Sequence, residues 1–130
     1  MALTKTLHRD GPYADFFSQG VGVGNTVYVA GQIGTDENGS APDSLLDQMI
    51  LAYQHVASVL SAFDCTMDNL VDETWFVTDM QECMSMVPDL FAARQAIYGK
   101  SPEVAQTLVQ VAALVDPAFK IEIKCVAMKG

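Results

Sequence analysis

Basic residues are scarce in this chain. Its 130 residues include 7 Lys and Arg against 16 Asp and Glu, which gives a formal net charge of −9 at pH 7. Lys and Arg do not cluster anywhere along the sequence. Because proteins bind DNA and RNA largely through cations that displace counterions from the phosphates, this balance argues against a nucleic-acid partner.

Cysteine and histidine are also few. Cys65, Cys83 and Cys125 show no C-x-x-C spacing, which predicts reduced thiols rather than a disulfide framework or a zinc site. His8 and His55 share no metal-ligand spacing, and His55 is interpreted as a structural histidine within a helix. We therefore expect no bound metal.

Long apolar runs are missing, although 50% of the residues are hydrophobic and 18% are charged. One long uncharged stretch, Gln48 to Phe63, contains Gln, His and Ser and is shorter than the ~20 apolar residues of a membrane span. The first residues, MALTKTLHRDG, lack the apolar segment of a signal peptide. The sequence predicts a cytoplasmic protein with no membrane contact, whose apolar surplus is buried in a subunit interface.

The length and the absence of a linker predict one domain over residues 1–130. Strands are predicted over residues 3–8, 16–23, 26–30, 70–77, 104–115 and 119–128, with a hairpin turn at Gly24-Asn25. One helix is predicted from Asp43 or Ser44 to Phe63 because apolar residues recur there at helical spacing. A second is predicted over Met80–Tyr98 with Gly99 as its stop, and Pro88 suggests that its regular part starts near Val87 or Pro88.

These elements predict an α+β fold with a six-stranded sheet. Two helices cover only one face of such a sheet. If the other face is apolar, a second copy of the subunit must cover it, so a homo-oligomer is expected.

Two motifs allow more than one interpretation. The run Gly20-Val21-Gly22-Val23-Gly24 is glycine-rich, but a strand rather than a helix follows it, so it favours a hairpin over a phosphate loop. Glu122 lies between Ile121 and Ile123, and strand alternation places it on the opposite face. It is either solvated or in a subunit cleft, where desolvation would raise its pKa and allow proton transfer near neutrality.

Five segments carry a resemblance that covers nearly the whole chain: Phe17–Val21, Gly24–Ile33, Gln48–Leu60, Thr74–Met80 and Leu108–Ile123. Together they resemble the YjgF-type reactive intermediate deaminases, also called the RidA-like or L-PSP family. The resemblance implies a chorismate-mutase-like subunit, with a mixed sheet and two helices on one face, assembled as a homotrimer. It also implies ligand clefts between subunits and cofactor-free hydrolysis of enamine or imine intermediates to a 2-keto acid and ammonia.

The resemblance also assigns site residues. Glu122 matches the family's cleft Glu and Gly31 matches a pocket Gly, whereas Gln106 stands where the deaminases have the Arg that binds the substrate carboxylate. Four further positions lose polarity relative to the family: Phe17 for Tyr, Ala30 for Ser, Val87 for Asn and Leu108 for Cys. An amide cannot grip a carboxylate as a guanidinium does, so small 2-imino acids are expected to bind poorly.

Two functions follow as expectations. The first is a hydrolase or deaminase for a less anionic or more apolar reactive intermediate, in which Glu122 moves protons and Gln106 orients a carbonyl or an amine. Phe17, Ala30, Val87 and Leu108 would shape its cleft, and the backbone near Gly31 would polarise a carbonyl. The second is a non-catalytic trimer that binds a small ligand. A ribonuclease ranks last because of the negative charge.

Overall fold

A computed structural model describes residues 2–130 and contains one six-stranded mixed sheet. The strands are β1 (Thr6–His8), β2 (Gly20–Val23), β3 (Thr26–Ile33), β4 (Leu70–Val77), β5 (Ala105–Gln110) and β6 (Ile121–Met128). Their order across the sheet is β1-β2-β3-β6-β4-β5. Strands β4 and β5 run parallel, and the other neighbours are antiparallel. The predicted α+β class and mixed sheet are confirmed, although several strands are shorter than predicted.

The longest helix, α1 (Leu45–Ser61), packs against β3 and β6. It begins where the sequence predicts, because the Ser44 hydroxyl accepts a hydrogen bond from the Asp47 amide at 3.2 Å and caps the first turn. None of the helices described in residues 2–130 has the length and apolar character that crossing a membrane requires.

The second predicted helix is divided into two. Helix α2 (Met80–Ser85) ends at Met86, and α3 (Val87–Tyr98) begins there with Pro88 in its first turn. Proline is compatible with a first turn, where the missing N–H would have no partner, but not with a helix interior. The single span Met80–Tyr98 was therefore wrong, whereas the start near Val87 is confirmed, as is the end at Gly99, which has φ 75°.

The glycine-rich hairpin is explained by packing. A Cβ atom at Gly20 would collide with the ring of Phe63 and with Val59, so the aromatic ring lies directly on the backbone of β2. The antiparallel pairing of β2 with β3 confirms the hairpin interpretation, and the packing of Phe63 adds a reason for glycine that the sequence did not show.

The core lies between the helices and one face of the sheet. Along β6, Ile121, Ile123, Cys125 and Ala127 are buried, whereas Glu122 and Val126 alternate onto the other face. On that outer face Tyr28 and Met128 remain about half exposed. None of the helices described in residues 2–130 covers these apolar side chains.

Candidate functional site

A cavity of about 380 Å³ lies beside the second half of β3. Strand β2 pairs with β3 only as far as Val29, so the edge of β3 beyond that residue faces the loop before β2 instead of another strand. The lining comes from that loop, β3, α1 and β6, and includes Asp10, Tyr13, Phe17, Gln19, Gly31, Gln32, His55 and Glu122. The missing strand neighbour is what leaves room for the cavity.

Glu122 and Gly31 meet in this cavity. A Cβ atom at Gly31 would overlap the Glu122 carboxylate, so only glycine leaves that carboxylate its space. Burial raises the pKa of Glu122, although the charge of Lys124 partly opposes the shift. Sequence alternation thus located a carboxylate that is easier to protonate than an exposed one, which suits proton transfer.

His55, interpreted from the sequence as structural, also lines the cavity. Its Nε2 atom lies 2.8 Å from the Thr35 carbonyl oxygen. A carbonyl can only accept, so Nε2 donates and Nδ1 of the neutral ring keeps a lone pair. Nδ1 has no hydrogen bond, and within residues 2–130 no deeply buried side-chain nitrogen lacks one, so Nδ1 is open to solvent. The bond to Thr35 holds the ring of His55 and leaves Nδ1 without a partner in residues 2–130.

Aromatic and amide side chains complete the lining. The rings of Tyr13 and Phe17 stack with centroids 5.7 Å apart and an angle of 17° between their planes. Gln32 Nε2 donates to Gln19 Oε1 at 2.8 Å and to the Ala30 carbonyl at 2.9 Å. The cavity therefore combines a flat apolar surface with fixed polar groups, a common composition for small-molecule sites.

A second polar cluster surrounds Glu73 on the helix side of β4. Glu73 is fully buried, and its Oε1 accepts from the hydroxyls of Tyr53 and Tyr98 at 2.8 and 2.7 Å. Its Oε2 accepts from Arg94 Nε at 2.9 Å and from Gln106 Nε2 at 2.8 Å. Four donors thus satisfy a carboxylate that would be costly to bury alone.

The groups around Glu73 hold defined protonation states. Burial and the adjacent carboxylate raise the pKa values of Tyr53 and Tyr98, so both remain neutral donors. Burial disfavours the charge of Arg94, but Glu73 outweighs that effect and raises the pKa of the guanidinium. Arg94 also lies over the rings of Phe91 and Tyr98, 5.4 and 5.5 Å from their centroids. The cluster is a neutralised ion pair.

Gln106 belongs to this second cluster rather than to the cavity. In the parallel β4–β5 register Gln106 is the partner of Glu73, so its side chain lies on the helix side of the sheet, whereas Glu122 lies on the outer face. Its Nε2 must point at Glu73, because the reverse orientation would place two oxygen atoms against each other. The amide predicted to orient a ligand therefore has one of its two N–H donors engaged within the chain.

The predicted site residues fall into two groups. Phe17, Gly31 and Glu122 line the cavity, and Ala30 precedes Gly31 on β3. Gln106 and Leu108 lie on β5, which is separated from β3 by β6 and β4, and Val87 begins α3. One chain does not bring the two groups together.

Sequence reasoning missed several residues that the structure places in these clusters. Strand alternation could have found Glu73, since it shares a face with the buried Trp75 and Val77. Tyr13 reaches the cavity from the loop before β2, for which the sequence offers no periodic signal, and His55 reaches it from α1.

Comparison with known proteins gives a consistent result. The family model described as Endoribonuclease L-PSP matches residues 9–129. The RutC family protein YjgH of Escherichia coli is 30% identical over 111 residues, covering 85% of this chain and 81% of the relative. The mouse 2-iminobutanoate/2-iminopropanoate deaminase is 29% identical over 132 residues, and the match covers 100% of this chain and 90% of the relative.

Solved structures agree with this result. Rv2704 of Mycobacterium tuberculosis, described as a member of the YjgF/YER057c/UK114 family, superposes with a TM-score of 0.80 at 25% identity. The match covers 97% of this chain and 100% of Rv2704.

Proposed function

Because this chain belongs to the Endoribonuclease L-PSP family, the family of the YjgF-type reactive intermediate deaminases, we propose that it is a small-molecule hydrolase or deaminase. It acts on an enamine- or imine-type intermediate other than the usual small 2-imino acids. Relatives named 2-iminobutanoate/2-iminopropanoate deaminase support the reaction class. The cavity that contains Glu122 and His55 supports acid–base chemistry within it.

The main support for an altered substrate is the hydrogen bond between Gln106 and Glu73. The position expected to bind a carboxylate holds a neutral amide, and one of its two N–H groups already donates to Glu73. The neighbouring cation, Arg94, is paired with the same carboxylate at 2.9 Å. A substrate carboxylate would gain little there, since strong anion binding needs a charged donor that is not already neutralised.

We propose a homotrimer with its ligand sites between subunits. The exposed apolar side chains on the outer face of the sheet support burial against another copy. The separation of the two groups of predicted site residues also supports it, because a second chain can bring Gln106 and Leu108 toward the cavity of the first. We place the protein in the cytoplasm and propose a small molecule, rather than a nucleic acid or a membrane, as its partner.

The alternative is a trimer that binds a small ligand without catalysis. The apolar residues Phe17, Ala30, Val87 and Leu108 at positions expected to be polar favour it. RNA cleavage, which the family description names, has less support because the chain carries a net charge of −9.

An ammonia-release assay separates the two proposals. Imines generated in place by an oxidase are supplied to the wild type and to Glu122→Gln, which keeps the size of the side chain but removes its proton chemistry. Catalysis predicts faster ammonia release by the wild type and loss of that gain in the variant. Ligand binding with equal, background release by both proteins would favour the non-catalytic trimer.

A further inference from the structure

Glu122 has no partner of its own in the cavity. Its carboxylate is half-buried and accepts no hydrogen bond from residues 2–130. Lys124, the cation that acts on it, donates instead to the Val29 carbonyl at 3.2 Å. A desolvated carboxylate without donors is stabilised by a cation or a strong donor that enters the cavity.

The charged residues of the lining are both acidic, Asp10 and Glu122. Asp10 pairs with His8 at 3.3 Å. The adjacent Arg9 is not part of the lining and donates to the Ser18 hydroxyl and to the Ala14 carbonyl, at 3.1 and 3.2 Å. The charges that this chain contributes to the cavity therefore favour a positive ligand and oppose a carboxylate.

The stacked rings of Tyr13 and Phe17 define the shape of the preferred ligand. They lie 5.7 Å apart and are nearly parallel, and both side chains are about half exposed at the cavity. Aromatic faces attract flat apolar groups and cations. A planar cation can stack on the aromatic rings and pair with the Glu122 carboxylate at the same time.

We propose that this cavity takes a planar iminium ion that carries no carboxylate, with Glu122 as its counterion and the Tyr13–Phe17 stack against its apolar part. The proposal rests on the proposed function and specifies its substrate class. An imine formed by oxidation of a primary amine belongs to this class, whereas one formed from an amino acid does not.

The cavity also holds the groups for the reaction. Water adds to the iminium carbon, and its proton passes to Nδ1 of His55 as the C–O bond forms. That proton then moves to the amine nitrogen, the C–N bond breaks with the departing ammonia keeping the electron pair, and the hydroxyl proton protonates the ammonia. The balance is R₂C=NH₂⁺ + H₂O → R₂C=O + NH₄⁺. His55 is therefore a catalytic residue, with Nε2 held by Thr35.

Binding tests the charge preference without requiring turnover. Benzamidine, benzamide and benzoate have similar shapes with charges of +1, 0 and −1. Calorimetry on the wild type is expected to give benzamidine a dissociation constant about tenfold or more below that of benzoate. Glu122→Gln abolishes the difference, and the matched surface change Glu103→Gln retains it. Equal or tighter binding of benzoate, no binding of any of the three, or an unchanged preference in Glu122→Gln would overturn the proposal.

Turnover tests the substrate class and His55. Two imines that differ by one carboxylate are generated by oxidases, from 2-phenylethylamine and from phenylalanine, and their survival is measured by semicarbazide trapping. The proposal predicts faster loss of the carboxylate-free imine alone. His55→Gln keeps a donor near Nε2 but lacks the base, so it loses about 10²-fold in rate while benzamidine binding is retained.

The outcomes separate the two proposals. Acceleration of both imines, or of the amino-acid imine alone, overturns the carboxylate-free class and leaves the proposed deaminase function standing. If the protein accelerates the loss of neither imine, the carboxylate-free substrate class and the proposed deaminase function are both overturned. An unchanged rate in His55→Gln overturns the role of that residue.

Discussion

Gln106 Nε2 lies 2.8 Å from Oε2 of Glu73, so a residue on an edge strand donates to a fully buried carboxylate on its parallel neighbour. This bond fixes the amide with its oxygen directed away from Glu73. Gln106 therefore offers a ligand its amide oxygen and one remaining N–H, but no positive charge. The proposed preference for a substrate without a carboxylate rests on this lack of charge.

Restoring an Arg at position 106 is expected to help only if Glu73 is changed as well. In Gln106→Arg the new guanidinium pairs with Glu73, which leaves little charge for a ligand. With Glu73→Gln added, a charge-assisted bond worth about 1.5–3 kcal/mol becomes available, and 2-ketobutyrate binds about tenfold or more tightly. Calorimetry on both variants, with Glu73→Gln alone as the control, checks this. Equal gains from the single and double variants would show that Glu73 does not neutralise the site.

Loss of Arg94 is expected to destabilise the fold. Arg94→Met leaves the Glu73 charge fully buried with neutral donors only, at a cost of about 3 kcal/mol. Urea unfolding at a fixed protein concentration measures the free energy of unfolding. The control is Lys100→Met, which removes exposed ion pairs with Asp68 and Glu103 and should leave stability unchanged. Equal effects of the two changes would argue against the importance of the buried pair.

The elements that sequence predicted well are those with local signals. Helix α1 has apolar residues at helical spacing and a Ser44 cap, and the alternation around Glu122 gave its face correctly. The division at Met86 was predicted only in part. Pro88 indicates a helix start, but it does not show that a separate short helix precedes it.

The polar clusters could not be predicted because their members are distant in sequence. Glu73 meets Arg94 and Gln106, which lie 21 and 33 residues further along the chain. Likewise, His55 enters the cavity with Phe17 and Glu122 only because β2 leaves part of the β3 edge unpaired. The resemblance indicated single positions but not which of them share a face of the sheet.

The stability of the protein should depend on Glu122 in a pH-dependent way. Burial raises the folded-state pKa of Glu122 above its unfolded value, so ionisation costs folding energy. The contribution of protonated Glu122 is fully present below the unfolded pKa of about 4.3 and is lost as pH rises through the higher folded pKa. Glu122→Gln should therefore gain stability relative to wild type as pH rises from 4 to 7. A difference independent of pH, measured by urea unfolding at each pH, would contradict this assignment.

The uncovered outer face should be a subunit interface. Light scattering is expected to give a particle of about 42 kDa, three times the 14.0 kDa chain. Tyr28→Asp, opposite Val126 on this face, should dissociate it, because a buried unpaired charge is costly. Met84→Asp, an equally apolar exposed position on α2, should not. If the wild-type protein is monomeric at micromolar concentration, the outer face is not a subunit interface.

The decisive measurement is the hydrolysis of 2-iminobutanoate. It tests the proposal that the site does not accept small 2-imino acids. The imine is generated by an amino acid oxidase, and its loss is followed by semicarbazide trapping with and without the protein. We expect no acceleration over spontaneous hydrolysis, because Gln106 is uncharged and Arg94 is already paired with Glu73. Acceleration that Glu122→Gln abolishes would contradict it, since the site would then accept a carboxylate without a free cation in the Glu73 cluster.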